Sequence, residues 1–163
     1  MDLGKFKQQA QSKKAENKKF FRKLKKVNPK KLDHAFHENH EKAFSHINCL
    51  NCANCCKTTG PLFTDRDIDR LSGHLGYKPA EFTEKYLLID EDNDHVLKSV
   101  PCPFLGADNY CSVYEARPKA CREYPHTDRK KMFQILDITR KNVEICPAVF
   151  EVVEEVKKVF GRE

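Results

Sequence analysis

The sequence predicts a small α+β protein, rich in short helices and carrying one β-hairpin. Three observations predict it: a modest length, a thin apolar content, and helical and alternating patterns that are each only a few turns or residues long. The 163 residues, at roughly 150 per domain, leave room for one ordinary domain plus an appendage. Leu, Ile, Val and Phe make up about a quarter of the chain, above the ~20% floor below which disorder is expected. A mean hydropathy of −0.71 keeps the core thin. The longest purely apolar runs, such as Leu87 to Ile89, fall far short of the ~20 residues a membrane-spanning helix needs, so no transmembrane segment is expected.

Charge marks the first boundary. Residues 1 to 31 carry twelve Lys or Arg against Asp2 and Glu16, a local net of +10 in a chain whose total is +6. Phe6, Ala10, Phe20, Phe21, Leu24 and Val27 recur there at helical spacing with lysines on the other faces, which predicts an amphipathic basic helix. It ends near Asn28-Pro29, because proline disfavours a helical residue before it. Phe36, His40, Ala43, Phe44 and Ile47 predict a second helix. The organisation expected is a basic helical extension over 1–47, followed by a cysteine-cluster domain over 48–163 with a closing C-terminal helix.

Within that second part, Thr64 three residues before Asp67 is a helix-start signature. Ile68, Leu71 and Leu75 then supply a buried stripe up to Gly76, so a helix is expected over 65–75. Pro79 in a first turn, with Phe82 and Tyr86 beyond, predicts another over 79–86. Leu87 to Ile89 and His95 to Val100 flank the acidic turn Asp90 to Asp94 and read as a hairpin. That turn matches a calcium loop only in composition, lacking the mid-loop Gly and closing Glu. Met132 to Ile138, rich in large apolar residues, predicts a third strand. Val149, Val152, Val153, Val156, Val159 and Phe160, interleaved with Glu and Lys, predict the closing amphipathic helix.

The eight cysteines carry the chemistry. Cys49, Cys52, Cys55 and Cys56 stand as C-x-x-C-x-x-C-C, and Cys102, Cys111, Cys121 and Cys146 each lie beside turn chemistry or at the start of a short element. A C-x-x-C turn lets two thiolates converge on one metal while backbone N–H groups point at the sulfurs, in zinc and iron–sulfur sites alike. The three-residue steps match the first positions of the bacterial ferredoxin run. Adjacent side chains point apart, so one of Cys55 and Cys56 is expected at a different site or in the core. Spacing leaves open two four-sulfur sites or one cluster with structural cysteines left over. Buried small side chains are the plain alternative. The first residues, MDLGKFKQQAQSKK, do not read as a secretory signal. A reducing, cytoplasmic compartment is therefore expected, where dense thiols more often bind metal or catalyse than form disulfides. The fold class then becomes specific: short helices and a hairpin organised round a cysteine-ligated metal centre.

At these residues the chain resembles the YkgJ family of cysteine-cluster proteins. The resemblance rests on C-x-x-C-x-x-C-C at Cys49 to Cys56, Pro101-Cys102-Pro103-Phe104-Leu105, the run from Cys111 through Tyr114, Arg117-Pro118, Cys121-Arg122 and Tyr124-Pro125, and the late Cys146-Pro147. It implies a zinc- or iron-chelating domain, with either an iron–sulfur cluster, of the four-iron type, or zinc on the eight cysteines, and it does not reach the basic N-terminus. One set of relatives, similar to flagellin lysine N-methylases, implies methyl transfer onto protein lysines with a cluster involved. The six glycines are scattered, so no S-adenosylmethionine loop supports that activity here.

Around the thiols, Arg117 and Arg122 flank Cys121, and a guanidinium there would offset thiolate charge and tune a metal; surface pairing with Glu115 or Glu123 is the plainer reading. Tyr114 and Tyr124 are expected to cover the site as packing residues with a polar tip. His126 would complete a site of three thiolates and an imidazole, against a solvated turn histidine. His37 and His40 form an i, i+3 pair on a polar helix, where surface histidines are commoner than ligands. The basic helix has three readings: a surface for nucleic acid or an acidic protein, a helix lying on anionic membrane, or a solvated helix whose apolar stripe packs on the body. A purely structural four-thiolate zinc module presenting that helix is the rival to the cluster.

Overall fold

The computed structural model describes residues 2–161. In chain order its α-helices are α1 (Leu3–Ser12), α2 (Lys14–Leu24), α3 (Pro29–Phe44), α4 (Asn54–Thr58), α5 (Asp65–Leu75), α6 (Pro79–Tyr86), α7 (Lys119–Glu123), α8 (Leu136–Asn142) and α9 (Pro147–Phe160). The strands are β1 (Leu62–Phe63), β2 (Leu87–Ile89) and β3 (His95–Leu97), forming an antiparallel sheet in the order β1-β3-β2. The fold is α-rich α+β, as the sequence predicts. The contacts divide it into two compact units, one built from residues 1–52 together with 125–163, the other from 53–124. The basic helices thus share a unit with the C-terminal helices, whereas the charge pattern places a boundary at residue 47.

The first unit is helical. Asn28 accepts from the N–H groups of Lys30 and Lys31 (3.0 and 3.3 Å) and caps α3, with Pro29 in the first turn where its missing N–H costs nothing. α3 packs along α9, and their apolar stripes meet as Leu32, Ala35, Phe36 and Ala43 against Val149, Val152, Val153 and Val156. Phe20, Phe21 and Leu24 of α2 join the same core. Ion pairs tie the lysine-rich helices to this unit: Lys13 to Glu154, Lys14 to Glu144 (3.0 Å), Lys25 to Asp137 (3.2 Å), and Glu16 to Lys157. The Asp33 carboxylate accepts from the N–H groups of Lys131 and Met132 (2.9 and 2.8 Å), anchoring the returning chain on α3.

Two expectations fail in this unit. The N-terminal region is two helices, not one, broken at Lys13. Ser12 there turns its hydroxyl onto the Gln9 carbonyl (2.8 Å), a bond that competes with the helix ladder, and beyond the break Phe6 meets Phe150 edge-on at 5.9 Å. Met132 to Ile138 is not a strand but a 3-10 turn (Met132–Gln134) leading into α8. Met132, Ile135, Leu136 and Thr139 are the buried positions, at i, i+3, i+4 and i+7, which is a helical period.

The second unit holds the sheet, with Leu62 opposite Val96 and Leu87 opposite Leu97. The expected hairpin is present, and two-residue β1 pairs on its far side. The expected helices over 65–75 and 79–86 are present as α5 and α6. Thr64 caps α5 by accepting from the Asp67 N–H (3.2 Å), while Asp67 accepts from the Thr64 N–H (2.9 Å). Gly76 ends α5 at φ 77°. A Cβ at Gly76 would meet nothing within 4 Å, so Gly76→Ala adds only the left-handed backbone cost. It should lower stability by about 1 kcal/mol, read as a shift in the urea midpoint without a change in slope. The core is Phe63, Ile68, Leu71, Phe82, Leu87, Leu97, Phe104, Val113 and Ala116.

Candidate metal centre

Four of the five thiols of residues 53–124, Cys56, Cys102, Cys111 and Cys121, arrive from four segments. Cys56 lies in α4, which starts from Ala53 in a left-handed conformation (φ 48°). The Cys102 N–H donates to the Cys56 carbonyl (2.8 Å), tying the Pro101-Cys102-Pro103 turn to α4. Cys111 bridges antiparallel to Leu105. The loop between them is closed by Gly106 N–H to the Tyr110 carbonyl and Ser112 N–H to the Phe104 carbonyl (both 2.8 Å). Cys102 and Cys111 pack half-buried against the unit's core. Cys121 lies in α7.

Burial and nearby thiols shift the acidities of these groups. Burial pushes the Cys121 thiol up to about 12, and the charges of Cys56, Cys102 and Cys111 add to the rise. Burial likewise raises Cys102, with Cys56 and Cys111 adding to it, and raises Cys111, with Cys56 adding to it. Cys56 goes the other way, down to about 7, because Cys55 hydrogen-bonds to it. Amide N–H groups face the sulfurs, those of Phe104 and Leu105 at Cys102 and that of Val113 at Cys111. The Arg117 guanidinium opposes the rise at Cys111 and Cys121. It stacks on Tyr114 with its central carbon 3.6 Å from the ring centre, and its buried Nε makes no hydrogen bond.

What holds Cys121 in place is a residue read from the sequence only as a helix cap. Asp67 is 1% exposed. Its carboxylate accepts from the Lys119 N–H (3.0 Å) and from Arg70 (2.8 Å), and Arg70 also donates to the Arg117 carbonyl (2.7 Å). The α5 cap therefore fastens the Arg117-Pro118-Lys119 segment just ahead of Cys121. Burial alone would raise the Asp67 pKa, but the bonds from Thr64, Arg70 and Lys119 outweigh it and hold the carboxyl at about 2. The T-D-R-D pattern at 64–67 carries half of this signal. The other half, the backbone of Lys119, has no sequence signature.

Three thiols lie in the other unit. Cys49 is exposed and Cys52 is buried at 8%, joined through a 3-10 turn in which the Cys52 N–H donates to the Cys49 carbonyl (3.0 Å). Cys146 packs against that unit's core as the residue before Pro147, which opens α9. Burial pushes its thiol up to about 11, and the charges of Cys49 and Cys52 add to the rise against the N–H groups of Val149 and Ala148. Cys55 falls with Cys56 in the unit of residues 53–124.

Of the other residues singled out by sequence, Arg122 is exposed and Tyr124 half-buried. His37 bonds to the Arg129 carbonyl (2.8 Å) and His40 to the Thr127 hydroxyl (2.7 Å), so both secure the 127–129 loop. His126 occupies a turn at φ 64°. Among the described residues, no group of three or more His, Cys, Asp or Glu side chains is placed to hold a metal ion, and no helix is long and apolar enough to cross a membrane. The donor chemistry fits a thiolate-held metal: soft sulfur ligands, amide N–H groups at their sulfurs, and an arginine beside two of them.

The chain belongs to the CxxCxxCC family, described as a "putative zinc- or iron-chelating domain", whose model matches residues 48–147 and so includes all eight cysteines. No solved structure matches the chain.

Proposed function

We propose that this chain is an iron–sulfur protein that holds its cluster on cysteine thiolates. The observation that carries the reading is four soft donors from four segments of one unit: Cys56 and Cys102 tied by the Cys102 N–H bond to the Cys56 carbonyl, Cys111 bridged to Leu105, and Cys121 in α7, whose approach Asp67 fastens. Four cysteines complete a [4Fe–4S] or [2Fe–2S] ligand set. Arg117, stacked on Tyr114, supplies a fixed positive charge that favours the reduced or more anionic form of a centre held there.

Anaerobic purification should give a brown protein with iron and acid-labile sulfide in equal amounts, whose visible absorption bleaches on dithionite. Colourless protein carrying stoichiometric zinc and no sulfide overturns the iron–sulfur reading. It would establish the second one, a structural four-thiolate zinc, which the completeness of the same donor set within one unit favours.

A further inference from the structure

We propose that the outer face of α2 is a docking surface for double-stranded nucleic acid, held through its phosphates without regard to sequence. Nothing in this reading depends on a metal. Residues 14–31 carry nine Lys or Arg and a single acid, Glu16. Part of that charge is answered within the fold, where Lys14 pairs with Glu144, Lys25 with Asp137, and Glu16 itself with Lys157. Lys19, Arg22 and Lys26 are left over. All three are exposed, and none makes an ion pair among the described residues.

These three cations stand at i, i+3 and i+7 on one side of the helix, along about 10 Å of its axis. The phosphates of one duplex strand advance about 3.4 Å each, so the row matches roughly three of them. The cations line an open cleft of about 880 Å³, walled by α2 and the end of α9 with Phe20 between them. The two carboxylates at the cleft, Glu16 and Glu154, are both engaged by Lys157 (2.5 and 2.7 Å), and Glu154 by Lys13 as well, so they do not cancel the row. The chemistry of this face separates the classes of anionic partner. A helix lying in a membrane inserts an apolar face, and that of α2 is already spent in the core, with Phe20, Phe21 and Leu24 at most 8% exposed. A protein partner is gripped through aromatic and apolar anchors, and among the described residues no exposed large apolar side chain falls within 14–31. Single strands are held by stacking on exposed aromatic rings, which the same stretch lacks. A duplex backbone asks only for cations within reach of its phosphates.

Fluorescence anisotropy of two short labelled DNA duplexes of unrelated sequence, titrated with the full chain as purified, tests this. Both should bind alike, and the logarithm of the affinity should fall with the logarithm of salt at a slope of about −3, close to one unit per contacted phosphate. Arg22→Ala should weaken both complexes equally and make the slope shallower by about one. Arg66→Ala, which removes an exposed arginine of α5, should change neither affinity nor slope. Arg22 is exposed and outside the core, so the variant should keep the wild-type circular dichroism. Absence of duplex binding at low salt, an unchanged slope in Arg22→Ala, or an equal loss in Arg66→Ala overturns the proposal. Tighter binding to the matching single strand, or binding to phosphatidylserine vesicles or a polyglutamate peptide without binding to the duplex, also overturns it and identifies the partner class in its place.

Discussion

Removing the metal from the purified protein should unfold residues 53–124. This unit has nine buried apolar side chains in its core cluster, against fifteen in the other. Below about 70–80 residues a single core rarely supplies more than ~3–5 kcal/mol, whereas a four-thiolate metal supplies on the order of 10 kcal/mol. The thiols sharpen the effect. Without a metal, Cys121 and Cys102 are half-buried groups that burial keeps protonated, and the cross-link between their segments is gone. Backbone amide hydrogen exchange before and after chelation is the measurement. Protection should vanish across α5, β2 and β3 and survive in α3 and α9, where Phe36, Leu32 and the valines interlock. Equal protection of both units in metal-free protein would refute the prediction.

Asp67→Ala should cost about 3 kcal/mol, the scale for stripping a buried carboxylate from charged and amide partners. Arg70, the Thr64 N–H and the Lys119 N–H all lose their acceptor at once. The pH dependence has a definite sign. The folded pKa of about 2 lies below the ordinary 3.8, so the stabilisation is complete above pH 4 and is lost as pH falls from 4 toward 2. The difference corresponds to about 2 kcal/mol at neutral pH. Acid also protonates thiolates, so the decisive quantity is the gap between wild type and Asp67→Asn. Urea midpoints at pH 6, 4 and 2.5 should show that gap shrinking. A constant gap would mean that the carboxylate charge contributes nothing.

The elements legible in the sequence are those whose signals are local. Thr64 with Asp67 marked α5, Pro79 marked α6, the acidic turn marked the hairpin, and the valine stripe marked α9. Met132 to Ile138 misled because its apolar residues are dense enough to fit a strand as well as a helix, and only burial chose between the two periods. The break at Lys13 has no sequence signal because Phe6 and Ala10 before it and Phe20, Phe21 and Leu24 after it each fit a helical period, and no Pro or Gly stands between them. β1 was missed because two residues carry no period. The cysteines announced a metal but not their partition. Cys49, Cys52 and Cys55 are equally spaced, yet the first two fold with residues 125–163 and the third with 53–124, and no spacing rule reports a chain that leaves a unit and returns to it.

That interruption has a consequence for the order of events during synthesis. The segment 53–124 is contiguous, so all its contacts are available once it has cleared the ribosome. α3, by contrast, must wait for α9, more than a hundred residues further along the chain. Until then Phe36 and Leu32 stay uncovered on a nascent, lysine-rich stretch. Such long-range closure is slow and exposed to aggregation, and like charge on the waiting helices opposes association between chains.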